Sequence, residues 1–185
     1  MITKVPNPVL TALSQKVTKI DKKILSIVEE MKKTLISTDN PKGVGLAAPQ
    51  IGLPLAIFIT KPNDKSPIGI FMNPEITWKS SELSEIVREG KENDKRKEKK
   101  LEGCLSIPEV WGYLRRPSKV RLKYMGTDGK TREEEFTGFM ATIVQHETDH
   151  INGILFTHRV MEQKERLYKI ELNEKGEDEL VEIEI

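Results

Sequence analysis

Cysteine is nearly absent from this chain. Cys104 is the single one among 185 residues, so no internal disulfide framework is available, which fits a reducing compartment. Long apolar runs are also missing: no stretch approaches the roughly 20 consecutive apolar residues that a membrane helix needs. An excess of one charge is lacking too. Lys and Arg number 30 against 29 Asp and Glu, a formal net charge of +1, so the composition asks for neither DNA nor an anionic membrane as a partner. The opening "MITKVPNPVL" has no basic segment followed by an apolar one, as a secretory signal would, and no Arg- and Ser-rich transit character. A cytoplasmic location is the expectation. No repeat and no linker divides the sequence, and its length suits a single domain over 1–185.

What is present reads as a folded chain of mixed type. The stretch "DKKILSIVEEMKKTLIS" carries Ile24, Leu25, Val28, Met31 and Leu35 at helical spacing behind Asp21, a plausible N-cap. "LAIFIT" and "IGIFM" are short apolar runs of strand type. "KVRLKYMGTDGKTREEEF" alternates around Asp128-Gly129 and predicts a β-hairpin. "LVEIEI" predicts a final strand. Residues 88–100, "REGKENDKRKEKK", mix charges with no apolar face. They suit a solvated loop insertion; a docking surface for an RNA-containing partner is the second reading. The fold class expected is α+β, with short, mostly antiparallel strands around one central helix.

That central helix spans about 138–152 and includes "QHETDH", with Gly153 placed to end it. At about 100° per residue, Phe139, Met140, Ile143, Val144 and Ile151 share one side. Ala141, Thr142, Gln145, Thr148, Asp149 and Asn152 share the other. His146, Glu147 and His150 fall on the apolar side. Asp149 therefore has a ready explanation, in solvent or behind the site, whereas Glu147 does not. A carboxylate facing a core costs several kcal/mol unless something pairs with it. Two histidines at i and i+4 flanking a Glu form H-E-x-x-H, two imidazoles able to meet one divalent metal and an acid able to handle a water proton. His158, past Gly153, is expected at the surface.

A catalytic metal of this kind usually has three protein ligands and one open position. Two sources for the third stand open. A zinc endopeptidase would take a downstream Glu, and Glu171 and Glu174 lie at plausible distances. Cys104, in "EGCLSIP", offers a thiolate instead, although a free cysteine is often only a small buried hydrophobe. The segment "GVGLAAPQIG" meets the G-x-G-x-x-A pattern at Gly43, Gly45 and Ala48. A dinucleotide site fails on context, because a helix precedes it and Pro49 with Gly52 stops another from following. Such a loop, ending in Gln50, lets backbone approach a ligand and supplies an amide donor.

"GVGLAAPQ", "EGCLS" and "QHETDH", in that order, resemble the peptide deformylase family, complete at every defined position. "VPNPVL", "NPEI" at 73–76 and "NGILF" extend the resemblance over nearly the whole chain. It implies Cys104, His146 and His150 as metal ligands and Glu147 as general acid and base. It implies Gln50 and the Leu105 N–H as oxyanion donors, Gly45 as a backbone contact to substrate, and Glu102 paired with Arg116. Val44, Leu105 and Ile143 are candidates for the methionine pocket; Gly103, Trp111 and Tyr113 for neighbouring subsites. The implied reaction removes the formyl group from N-formyl-methionyl nascent peptides, with Fe²⁺ as native ion and Zn²⁺ or Ni²⁺ able to substitute. Transient ribosome contact is also implied. Two departures stand out: the charged block at 88–100 is long for the family, and the end of the chain lacks the basic helix some bacterial members carry.

Overall fold

The computed structural model describes residues 1–39, 42–86, 101–173, 176 and 178–183. The charged block at 88–100 lies outside the described residues. Helix α1 (Lys22–Ile36) starts where the sequence predicts: the Asp21 carboxylate accepts from Ile24 N at 3.0 Å, occupying one of the helix's free donors. Its buried stripe is Ile27, Val28, Met31 and Leu35, with Ile24 packed beside it. The expected stripe held Leu25, which is exposed. One residue is about 100° of rotation, so Leu25 turns away from the line of Ile24, Val28 and Met31, and Ile27 fills it.

After α1 come β1 (Gly45–Ala47), a 3-10 turn (Ala48–Ile51), β2 (Ile57–Thr60), β3 (Gly69–Lys79) and β4 (Leu83–Ser84). Then follow β5 (Glu102–Cys104), β6 (Ile107–Gly112), β7 (Arg116–Pro117), β8 (Lys119–Met125) and β9 (Thr131–Thr137). Helices α2 (Gly138–Ile151) and α3 (Phe156–Glu162) precede β10 (Leu167–Leu172) and β11 (Asp178–Glu182). Every pairing between the described strands is antiparallel. Strand order is β1-β2-β3-β8-β9 in one sheet, β11-β10-β6-β5 in a second, and β4-β7 in a small third. The α+β class with antiparallel strands holds, as does the hairpin: Met125 pairs with Thr131 and Gly129 takes φ 77° at its turn.

The apolar run of β2 has a simple origin. Ile57 and Ile59 pack into the cluster with Val28, Met31 and Leu35 of α1, while Phe58 enters the cluster with Ala141, Val144 and Ile151 of α2. A strand covered on both faces needs no polar alternation. Strand β3 runs past "IGIFM", with a break in register between Met72 and Glu75. Asn73 sits there at φ 52° and holds both backbone groups of Val17, accepting from its N at 2.7 Å and donating to its O at 2.8 Å. "NPEI" thereby ties the N-terminal segment to the sheet.

Helix α2 lies against β1, β2, β3, β7, β8 and β9; its His146 and His150 meet Glu102 and Cys104 of β5, and its Asp149 meets Arg159 of α3. From Ala141 to Ile151 every residue but His146 is buried, while Asn152 at the end of the polar side is exposed. Thr142, Gln145, Thr148 and Asp149, placed by helical periodicity on a polar side, are all buried. The apolar stripe was real, but the opposite side meets protein too. Gly153 ends the helix at φ 71°, where a Cβ would stand 2.6 Å from Thr11 O. His158 is exposed, as expected.

Candidate active site

Three elements deliver the site. Strand β5 carries Glu102, Gly103 and Cys104; α2 carries His146, Glu147 and His150; the 3-10 turn after β1 carries Gln50. One ligand atom from each of Cys104, His146 and His150 lies within 4.8 Å of the others. Cys104 Sγ is 3.1 Å from His150 Nε2. His146 gives its Nδ1 to Glu102 Oε1 at 2.7 Å, which leaves Nε2 to face the cluster and fixes the ring, as carboxylates do for metal-bound imidazoles. Tetrahedral ligands around a zinc-sized ion stand roughly 3.4–3.7 Å apart. The donor set and its spacing therefore fit a divalent ion. Glu171, the other candidate third ligand, lies exposed on β10 and pairs with Lys169; Glu174 is outside the described residues.

The electrostatics match. Burial opposes ionisation of Cys104, but the charge of His150 and hydrogen bonds from His146 and His150 bring its thiol well below the ordinary range. Burial likewise opposes charge on His146, and the bonds to Cys104 and Glu102 overcome it, raising the imidazole well above its usual value. Glu102 is held well below the carboxylate range against its own burial by Arg116, which grips both its oxygens at 2.9 and 2.7 Å. Glu147 stands apart. Burial pushes it up to about 7, with His146 and His150 only partly opposing, and its Oε2 has no hydrogen-bond partner among the described residues. An acid near neutrality with a free oxygen is suited to proton transfer.

Gln50 is fully oriented. Its Oε1 accepts from Ala47 N at 2.8 Å, so its NH₂ is the end that points at Cys104 Sγ, 3.5 Å away. A cavity of about 100 Å³ opens onto these groups. Val44, Gly45, Gly103, Leu105, Trp111 and Ile143 line it, together with Gln50, Glu102, Cys104, His146 and Glu147. Gly45 is required by contact: a Cβ there would come within 2.8 Å of Glu147 Cδ. Trp111 lies over Gly103, where a Cβ would meet its ring at 2.6 Å. Tyr113 is not among the lining residues; it follows the end of β6 and packs edge-on against Tyr168.

Sequence reading missed Lys42, Gly43, Ile86, Phe139 and Thr142, which also line the cavity. Phe139 and Thr142 stand at helical spacing from Ile143 and His146, so this pair is within reach of the pattern. Ile86 and Lys42 carry no such signal and arrive through the tertiary fold.

A Cys/His/His cluster, an oriented amide and a buried acid with a free oxygen, gathered on one cavity, belong to the chemistry of metal-dependent hydrolases. The polypeptide deformylase family model matches residues 1–166. A peptide deformylase from Pseudothermotoga lettingae is 40% identical over 150 residues, 81% of this chain and 76% of its own. One from Borreliella burgdorferi is 37% identical over 172 residues, 92% of this chain and 94% of its own. The crystal structure of peptide deformylase from Thermotoga maritima superposes with a TM-score of 0.73 at 32% identity, covering 86% of this chain and 96% of that one. The chain belongs to the polypeptide deformylase family.

Proposed function

We propose that this enzyme removes the formyl group from N-formyl-methionyl peptides, releasing formate and a free amino terminus, and that it works on nascent chains in the cytoplasm. The observation that carries the reading is the Gln50 amide, 3.5 Å from the cysteine of a Cys/His/His cluster that also neighbours Glu147. A structural metal site needs neither Gln50 nor a buried acid.

Cys104, His146 and His150 hold one divalent ion, with Fe²⁺ as native metal and Zn²⁺ or Ni²⁺ as substitutes. The bound ion supplies Lewis acidity, lowering the pKa of water towards neutrality. The thiolate ligand suits soft and borderline ions. Glu147 accepts the water proton and returns it to the departing amine, which explains an acid on a buried face. The Gln50 side chain and the Leu105 N–H donate to the oxygen that gains charge as the formyl carbon becomes tetrahedral; one such donor is worth ~3 kcal/mol. Gly45 lets the substrate backbone pass close to Glu147. Val44, Leu105 and Ile143 form the apolar walls for the methionine side chain, and Gly103 with Trp111 borders the next position. Glu102 and Arg116 fix His146. Transient ribosome contact would bring nascent chains to this cavity.

The test is an anaerobic assay of the Fe²⁺-loaded protein with formyl-Met-Ala-Ser, measuring formate and new amine. Turnover with no internal cleavage supports deformylation. Cleavage of internal bonds without formate would instead support the endopeptidase reading, and a folded, loaded protein with no turnover would defeat both.

A further inference from the structure

Asp149 and Arg159 have no part in the chemistry above, yet they continue its hydrogen-bond network. Arg116 divides its guanidinium between two acids. Nε and Nη2 hold Glu102, and Nη1 reaches Asp149 Oδ2 at 2.9 Å. Asp149 in turn is held by Arg159 of α3: Nη2 donates to Oδ1 at 2.8 Å, and Nε lies 3.3 and 3.4 Å from the two oxygens. The chain of contacts runs unbroken from Arg159 through Asp149, Arg116 and Glu102 to His146 Nδ1. Phe156 and Val160, both buried, anchor α3 on either side of Arg159.

We infer that Arg159 is a positioning residue for the metal centre, acting through Asp149, Arg116 and Glu102 on His146. The inference rests on the reading of Cys104, His146 and His150 as metal ligands. Its physical basis is competition for one cation. Two acids and two arginines balance in charge. Without Arg159, Asp149 has Arg116 as its remaining cationic partner among these groups and draws on the same guanidinium that holds Glu102. Both acids are largely buried, with side chains 5% and 11% exposed, so water compensates little for the lost partner. Glu102 then loosens, and with it the 2.7 Å bond that orients His146. Arg159 itself is 30% exposed, so the effect is smaller than for a direct partner of a ligand.

This side of the network is separate from the substrate cavity. Arg116, Asp149, Arg159 and Glu162 line a second cavity of about 180 Å³ that shares no lining residue with the first. Arg159 itself therefore touches none of the substrate's apolar walls, and the signature of its substitution is a change in metal retention and kcat with KM preserved.

The experiment compares wild type with Arg159→Ala, Arg159→Met, Arg159→Lys and Glu162→Ala, each loaded with Zn²⁺. It reads the rate of metal release to excess chelator, kcat and KM on formyl-Met-Ala-Ser, and the thermal midpoint of the metal-free proteins. Arg159→Ala and Arg159→Met should release metal about three- to tenfold faster, with a similar fall in kcat, below the 10–100-fold expected for a direct partner of a ligand. KM should stay close to wild type. Arg159→Lys should recover much of both losses, and Glu162→Ala, which touches only the solvent side of Arg159, should behave as wild type. Arg159→Met keeps the aliphatic packing and decides the question if Arg159→Ala fails to fold. Unchanged release and kcat in Arg159→Met would overturn the inference, as would equal losses in all four variants that follow the thermal midpoint alone. A wild type that retains no metal would instead strike the reading of the ligand set.

Discussion

The side-chain amide nitrogen of Gln50 lies 3.5 Å from Cys104 Sγ, although 54 positions separate the two residues. The contact joins the 3-10 turn after β1 to strand β5, and the Ala47 N–H decides which end of the amide faces inward. An amide so aimed has a chemical use only if charge develops near the cysteine. Gln50→Ala should retain one metal ion per chain and lower kcat by about 10²–10³, the cost of one oxyanion donor. Metal analysis and steady-state kinetics on a formylated peptide check this, and an unaltered kcat would remove Gln50 from the machinery.

Cys104→Ala removes one of three candidate ligands. The purified variant should hold metal substoichiometrically under conditions that saturate wild type, as measured by elemental analysis. Full occupancy would return attention to a carboxylate ligand, the feature of the endopeptidase alternative.

Gly45→Ala tests close approach. The added methyl would stand 2.8 Å from Glu147 Cδ and 3.0 Å from its Cγ, so the acid must move. A displacement of about 1 Å at a reacting group can cost about 10²-fold. The expected outcome is a loss of that order in kcat/KM with metal content and folding intact. Near-normal kinetics would show that the carboxylate tolerates the shift.

Arg116→Met should destabilise the fold itself. It leaves the buried Glu102 with His146 alone and the buried Asp149 with Arg159 alone. Breaking a buried pair from one side typically costs about 3–5 kcal/mol. Urea denaturation of metal-free wild type and variant measures this directly, without contribution from the ion. A difference below about 1 kcal/mol, the worth of an exposed pair, would mean the cluster is solvated in solution.

Much of this was legible in the sequence because it is local. The i, i+4 spacing of His146 and His150 and the lone Cys104 in "EGCLS" need only helix geometry and composition. The same holds for the Asp21 cap and the Asp128-Gly129 turn. What the sequence hid depends on what packs where. Leu25 and Ile27 differ by two positions, yet only the neighbours of α1 decide which is buried. Helix α2 reads as amphipathic, but β7 and α3 meet its second side, so Asp149 faces Arg116 and Arg159 rather than water. Ile86 and Arg159 carry no periodic signal, because their roles come from chain segments brought together by the sheets. The charged block at 88–100 stays outside the described residues.

Glu147 carries the heaviest part of the proposal, since its burial makes no structural sense without a proton to move. The most direct measurement is formate release from formyl-Met-Ala-Ser by wild type and Glu147→Gln at matched metal content. Glutamine keeps the volume and the metal ligands but cannot accept the proton. Equal metal occupancy with kcat/KM reduced by about 10²–10⁴ is the predicted result. A Glu147→Gln variant that turns over at a rate close to wild type would contradict the assignment.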